Sequence, residues 1–296
     1  MWAQQRVFPA VEAPVLLANP LSSDRDVLRT SAIPDLVETA AQNLRQIDED
    51  VRLFELGRVY LPTAEGLPEE RRVLTAVVAQ PSNSSWPAKS GLGHQPSAGF
   101  FRLKGAAEEV LERLGIARTG FVPLAHPAFA AGAAAGIISD HHPESMGKRP
   151  VREAQVLGAI GALRREVASA FAVEGQCVVL ALDFDRIIAL AGDHRHFDGI
   201  VRYPSVVQDL AVVIDEAVPA EHVEAVMRRA SRRLLTDVRL FDVYQGEQVP
   251  SGKRSLAFAL TFQASDRTLT DAEVEPIRER IVSALERQLG ASLRGD

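Results

Sequence analysis

Cysteine is almost missing from this chain of 296 residues: Cys177 stands alone. It can form no internal disulfide and no zinc site built from thiolates, which fits a reducing, cytoplasmic setting. Aromatic residues are also scarce, at 6%, with only 2 Trp and 3 Tyr. Long apolar runs are absent as well, for nowhere do the ~18 uncharged apolar residues of a membrane span follow one another. Nor does the start, Met1-Trp-Ala-Gln-Gln-Arg-Val-Phe-Pro9, pass from basic residues into an apolar stretch. Neither a signal peptide nor a membrane partner is expected. Basic charge is in short supply too, with 33 Lys+Arg against 39 Asp+Glu and a net charge of -6. Bulk attraction to nucleic acid or membrane is thereby excluded, and a polyanion has to be met by a local patch.

What is present is core material. Hydrophobic residues make up 46% and charged residues 24%, the composition of a globular protein rather than a disordered, collagen-like or coiled-coil one. The length corresponds to roughly two domains. Glycines, a proline and polar residues interrupt the apolar periodicity at 192–204, so the boundary is placed there, giving domains 1–199 and 200–296. Neither half has an excess of lysine and arginine. A second irregular stretch, 81–99, reads as a long surface loop.

In the first half, periodicity predicts a helix over 34–46, strands at 51–61 and 72–79, and a helix over 101–114 ended by Gly115. Strands follow at 133–138, 156–160 and 177–184, with a helix at 162–171. This is a mixed α and β domain around a mainly antiparallel sheet.

The second half predicts a strand at 206–215, a helix at 219–235, strands at 238–245 and 253–263, a helix from the capping box Thr270-Asp-Ala-Glu273 to Leu289, and a short final edge strand. The order β-α-β-β-α-β is the ferredoxin-like arrangement, two helices on one face of a four-stranded sheet. If Leu256, Phe258, Leu260 and Phe262 face the helices, the open face shows Ser255, Ala257, Ala259 and Thr261. RNA-recognition domains of similar topology stack bases on aromatics of that face, so here RNA contacts are expected from edges, loops or helix ends.

Four ordered blocks of the second half, Tyr203-Pro-Ser-Val-Val-Gln-Asp-Leu-Ala-Val-Val-Ile-Asp215, Leu240-Phe-Asp-Val-Tyr-Gln-Gly246, Gly252-Lys-Arg-Ser-Leu-Ala257 and Thr268-Leu-Thr-Asp271, closely resemble the ferredoxin-fold anticodon-binding domain of the bacterial phenylalanyl-tRNA synthetase β subunit. Asn19-Pro-Leu-Ser22, Val27-Leu-Arg-Thr-Ser31, Leu53-Phe-Glu-Leu-Gly-Arg-Val-Tyr60 and Phe101-Arg-Leu-Lys-Gly105 resemble the same subunit's catalytic-like module. The resemblance implies an α+β chain: a class II synthetase-like antiparallel sheet domain that has lost its active site, followed by the anticodon-binding domain. It implies an α2β2 ligase that charges tRNA with phenylalanine using ATP and magnesium, with catalysis on the α subunit and this portion binding no cofactor itself. Leu61 follows Gly57-Arg-Val-Tyr60 where the catalytic subunit has an arginine suited to gripping a triphosphate, and no catalytic residue is assigned. The family's upstream tRNA-binding, editing and magnesium-linked segments have no counterpart here, so the chain is expected to be a C-terminal fragment or a shortened paralogue that does not edit. A stand-alone RNA- or protein-binding paralogue without a role in aminoacylation is the alternative. Departures from the family pattern occur at Val207-Gln208, at His126-Pro-Ala-Phe-Ala130 and at Gly158-Ala-Ile-Gly-Ala-Leu-Arg-Arg165.

The candidate tRNA-binding residues are Arg228, Arg229, Arg232, Arg233, Tyr244, Lys253 and Arg254. The first four recur at i, i+1, i+4 and i+5 and form one helical stripe; it is either a phosphate-gripping surface or a solvated face balanced by Glu221 and Glu224. Lys253 and Arg254 sit at the mouth of a hairpin, where a loop reaches outward. Strand alternation puts Phe241 and Tyr244 on opposite faces, with Tyr244 assigned to stack on a base and Phe241 to the core. Asp140-His-His142 and Asp193-His-Arg-His196 carry metal-ligating residue types but no fixed ligand framework, so no metal site is assigned and a metal-dependent enzyme is the remotest reading. Cys177 opens an apolar strand and is assigned to the core.

Overall fold

The computed structural model describes residues 14–22, 26–64, 66–81, 98–116, 119–139, 155–192, 203–231, 234–246 and 248–294. These form two compact units, one running up to residue 192 and one from residue 203. Most of the expected boundary stretch at 192–204, most of the 81–99 loop and both histidine clusters lie outside the described residues.

In the first unit, helix α1 (Ile33–Leu44) opens with a proline in its first turn, where a missing N–H costs nothing. The Ser31 hydroxyl accepts the Ile33 N–H at 3.2 Å. Leu36, Val37, Ala40 and Ala41 recur at helical spacing and are its buried face. Then come β1 (Val51–Leu61), β2 (Glu69–Ala79), α2 (Ala98–Arg113), β3 (Thr119–Pro123), β4 (Phe129–Ser139), β5 (Gln155–Leu163), α3 (Arg165–Ala170), β6 (Cys177–Asp183) and α4 (Phe184–Leu190). The strands make one antiparallel sheet in the order β1-β2-β6-β5-β4-β3. A core containing Val37, Ala40, Val77 and Val179 joins α1 to one face, while Leu103, Leu111, Leu180 and Ile187 bring α2 and α4 onto the other. Central β6 is buried at every residue, so it reads as a continuous apolar run rather than an alternation.

Three expectations in this unit need correction. The short strand β3 escaped the periodicity because a five-residue segment holding Gly120 and Pro123 leaves too few positions for an alternating pattern. The helix expected over 162–171 begins only at Arg165, since Leu163 is still paired with Phe129. The strand expected to reach 184 stops at Asp183, whose carboxylate accepts the Arg186 N–H at 3.1 Å and starts α4; an aspartate ahead of a helical turn is an N-cap signal.

The second unit consists of β7 (Val206–Asp215), α5 (Ala220–Ser231), β8 (Leu235–Tyr244), β9 (Lys253–Phe262), α6 (Asp271–Leu289) and β10 (Ser292–Leu293). Its antiparallel sheet runs β10-β7-β9-β8. With both helices against one face, this is the ferredoxin-like arrangement. Leu256, Phe258, Leu260 and Phe262 are the center of its core, packed against Val223, Met227, Val274 and Ile281 from the helices. Gly290, at φ +60°, ends α6 in the left-handed conformation that glycine adopts without strain. The helix expected over 219–235 is shorter, with β8 already under way at Leu235.

Candidate nucleic-acid interface

Strand β9 pairs on one side with β7 and on the other with β8, and directly paired residues project to the same face of a sheet. Ser255, Ala257, Ala259 and Thr261 thus share the open face with Val213, Ala211, Asp209 and Val207 of β7. From β8 the same face receives Tyr244, Asp242, Arg239 and Asp237. The open face is therefore not furnished with small residues alone, since a neighbouring strand brings an aromatic and an arginine onto it.

A bulge decides which aromatic that is. The β8 to β9 register shifts between Leu240, opposite Phe258, and Asp242, opposite Ala257, leaving Phe241 as the extra residue. A bulged residue drops out of the alternation and projects from the strand. Phe241 is 51% exposed, which overturns its assignment to the core. Tyr244 is half-buried, and its ring lies 4.8 Å from the guanidinium of Arg294. Its phenol also lies over Gly246, where an added Cβ would come 2.5 Å from the hydroxyl oxygen.

The cationic candidates differ in how their charge is used. Arg228 donates to Glu224 at 2.8 Å and has Asp237 at 3.8 Å, so two carboxylates offset it. Arg229 is exposed and donates to the Ala225 carbonyl one turn back, at 3.1 Å. Arg232 and Arg233 lie outside the described residues. Arg254 projects toward the helices, opposite Ile214, and donates to the Val218 carbonyl at 2.7 Å. It ties the β9 start to the turn leading into α5. Lys253 stands opposite Asp215 on the open face and is half-buried. The structure thus brings Tyr244 and Lys253 to one face and separates Arg254 from them.

Arg294 escaped the sequence reading. It follows β10, its N–H donates to the Ala211 carbonyl at 3.1 Å, and its guanidinium donates to Gln248 Oε1 at 2.7 Å. The signal for it was the short edge strand after Gly290, which points every second residue to the open face.

In the first unit, the two divergent segments meet. Arg164 donates through its N–H to the Ala128 carbonyl at 2.9 Å and through its guanidinium to the Pro127 carbonyl at 3.2 Å. Both border a broad groove of about 1100 Å³ that also exposes Phe121, His126 and Arg165. Partial burial pushes the His126 imidazole below its ordinary value. Gly158 and Gly161 are needed for packing: a Cβ on the first would lie 2.3 Å from the Ala181 carbonyl, and on the second 2.7 Å from the Phe129 ring. Leu61 lines a small recess of about 20 Å³, beside Thr75, Arg71 and Asp183. Arg71 is held by Glu69 and Asp183 caps α4, so both charges are already occupied. Among the described residues no cluster of His, Cys, Asp and Glu could hold a metal ion, and no helix is long and apolar enough to cross a membrane.

Comparison with known proteins agrees with both units. The family model of the phenylalanyl tRNA synthetase beta chain CLM domain matches residues 4–184, and that of the ferredoxin-fold anticodon binding domain matches residues 201–294. The phenylalanine–tRNA ligase beta subunit of Clostridium acetobutylicum is 32% identical over 95% of this chain and 32% of its own length. That of Syntrophotalea carbinolica is 33% identical over 95% of this chain and 33% of its own, and that of Symbiobacterium thermophilum 36% identical over 94% and 29%. The chain therefore spans about a third of the length of the curated relatives it matches. With both family models matching in order and together accounting for nearly all of the sequence, the chain belongs to the phenylalanyl-tRNA synthetase beta chain family.

Proposed function

We propose that this chain acts as the noncatalytic C-terminal portion of a phenylalanine–tRNA ligase β subunit. Residues 1–199 serve as a scaffold for the catalytic α subunit in an α2β2 enzyme, and residues 200–296 hold the anticodon region of the phenylalanine tRNA. ATP and magnesium belong to the chemistry of the whole cytoplasmic enzyme, on its α subunit, and this portion supplies no catalytic residue.

The observation that carries this reading is the second unit's open face. It combines a ferredoxin-like sheet, an aromatic ring suited to stacking and nearby cations, the elements that a single-stranded RNA loop requires. The occupied charges around the Leu61 recess support a scaffold role for the first unit, for among the described residues lining it no arginine is left unpaired to grip a triphosphate.

The test has two arms. The chain is titrated with a phenylalanine tRNA transcript, and separately co-expressed with the catalytic subunit from the same genome. Saturable tRNA binding and co-purification are expected; a chain that does neither overturns the proposal. Joint charge reversal of Arg232 and Arg233 then asks whether the helical stripe touches RNA, and an unchanged affinity and salt slope removes it from the interface.

A further inference from the structure

The side chains on the open face of the second unit are arranged in rows that cross its four strands. One row runs Ser292, Val213, Ser255, Tyr244, and the next begins with Ala211 and Ala257 and ends at Asp242. Three interstrand spacings of about 4.8 Å place β10 roughly 14 Å from β8. That span exceeds one side chain, but Tyr244 and Arg294 lean toward each other and close it, 4.8 Å apart. They can do so because the floor between them is Ala211, Val213, Ser255 and Ala257, none larger than valine; Ser255 is covered to 2% exposure. The small residues thus have a physical purpose, leaving room for a tyrosine and an arginine to meet over the sheet.

Arg294 is fixed at three points: its N–H on the Ala211 carbonyl, its guanidinium on the neutral Gln248 amide oxygen, and its face on the Tyr244 ring. None of these removes its charge. Among the described residues no carboxylate pairs with it, whereas Arg228 has two. Guanidinium groups are weakly hydrated, stack on rings and present a planar fork of donors that matches two phosphate oxygens. A cation held in place by neutral partners, with donors to spare, is preorganised for an anionic ligand.

We propose that Arg294 is an RNA-backbone contact of the second unit, its guanidinium bound to a phosphate and oriented for it by Tyr244 and Gln248. This rests on the reading of the open face as an RNA-binding surface and adds to it a residue at the far end of the chain and a ligand group, the phosphodiester.

The experiment titrates the full chain and its Arg294→Ala, Arg294→Lys and Gln248→Ala variants with a phenylalanine tRNA transcript and with an unrelated tRNA, over a series of salt concentrations. Arg294→Ala is expected to weaken both tRNAs alike, about tenfold for a lost charge-assisted contact, and to reduce the salt slope by about 0.7, the value for one phosphate of a single strand. Arg294→Lys keeps the charge, so its slope stays at the wild-type value while its affinity falls between the two. Gln248→Ala loosens the guanidinium and lowers affinity without changing the slope. Circular dichroism melts of each variant accompany the titrations, and Arg294→Lys carries the test if Arg294→Ala unfolds. Wild-type binding with an unchanged slope in Arg294→Ala overturns the phosphate contact alone, as does a loss confined to one tRNA. A wild-type chain that binds neither tRNA overturns the RNA reading together with it.

Discussion

Burial separates residues that look alike in the sequence. Cys177 is 2% exposed, and desolvation pushes its thiol up to about 12. Thiolate is the reactive form, so iodoacetamide at about pH 8 is expected to leave the folded chain unlabelled and to modify it fully in concentrated guanidinium chloride; mass spectrometry reads the outcome, and rapid labelling of the native chain would place the thiol at the surface. Phe241 and Phe258 make a second contrast. Phe258 is 1% exposed at the center of the second core, whereas Phe241 projects from a bulge. Phe258→Ala should cost about 3–5 kcal/mol, while Phe241→Ala should stay within about 0.5 kcal/mol, as for an exposed side chain without partners. Chemical denaturation of the two variants checks both figures. A large loss for Phe241→Ala would return that ring to the core. The same contrast holds for the arginines: Arg228, Arg254 and Arg294 are equally cationic in the sequence, but one is neutralised, one fastens a turn and one keeps its charge for use.

Among the elements, the β5 to β6 ladder is tightly constrained. A Cβ at Gly158 would meet the Ala181 carbonyl at 2.3 Å and the Leu182 backbone at 3.0 Å, atoms that cannot rotate away. Gly158→Ala should therefore destabilise the first unit by about 1–3 kcal/mol through forced backbone shifts, seen as a lower denaturation midpoint with secondary structure retained; an unchanged midpoint would mean that the two strands have room to spare. Helix α6 offers a pH test. The Thr270 N–H, then Arg267, holds the Glu273 carboxyl below its ordinary value of 4.5. A carboxyl lowered on folding contributes stability that is fully present above its unfolded value and fades as pH falls through its folded one. Glu273→Gln should thus lose stability at neutral pH and lose less than the parent chain as pH falls from about 5 to 3. Parallel pH curves for the two proteins would show that the carboxylate contributes nothing. These elements also show where sequence reasoning works. Strand β9 was legible because each second residue enters one core, and α6 because capping box and glycine stop both lie within the chain's own local chemistry. Strand β8 was legible as a strand at 238–245 but its bulges were not, since they depend on pairing with β9, a relation between distant residues that no local period records. The same limit hid half of the candidate site: Tyr244 could be chosen from its residue type, but Arg294 gains meaning only when β10 pairs with β7 and sets it across the sheet from that ring.

At the level of the whole molecule, net charge and binding chemistry pull in opposite directions. A charge of -6 repels a polyanion at long range, and screening confines that repulsion to about 8 Å at physiological salt. Contact must then come from cations that no neighbouring carboxylate offsets. In the second unit Arg229 and Arg294 meet that condition among the described residues, and Arg294 belongs to the open face, where Lys253 stands opposite Asp215 and Arg239 lies among Asp209 and Asp237. The second unit also has its own core, drawn entirely from residues between Val206 and Ala291, and its strands pair only with one another. A piece comprising residues 200–296 should accordingly fold alone, giving one cooperative urea transition and the circular dichroism of a mixed α and β domain. If the open face is the RNA-binding surface, this piece should retain the whole chain's affinity for a phenylalanine tRNA transcript, with the same salt slope, because the released counterions are counted by the phosphates contacted and not by the protein's net charge. Residues 1–199, prepared alike, should bind the transcript weakly and without saturation. A folded 200–296 piece that fails to bind while the whole chain succeeds would move the RNA site out of the ferredoxin-like unit.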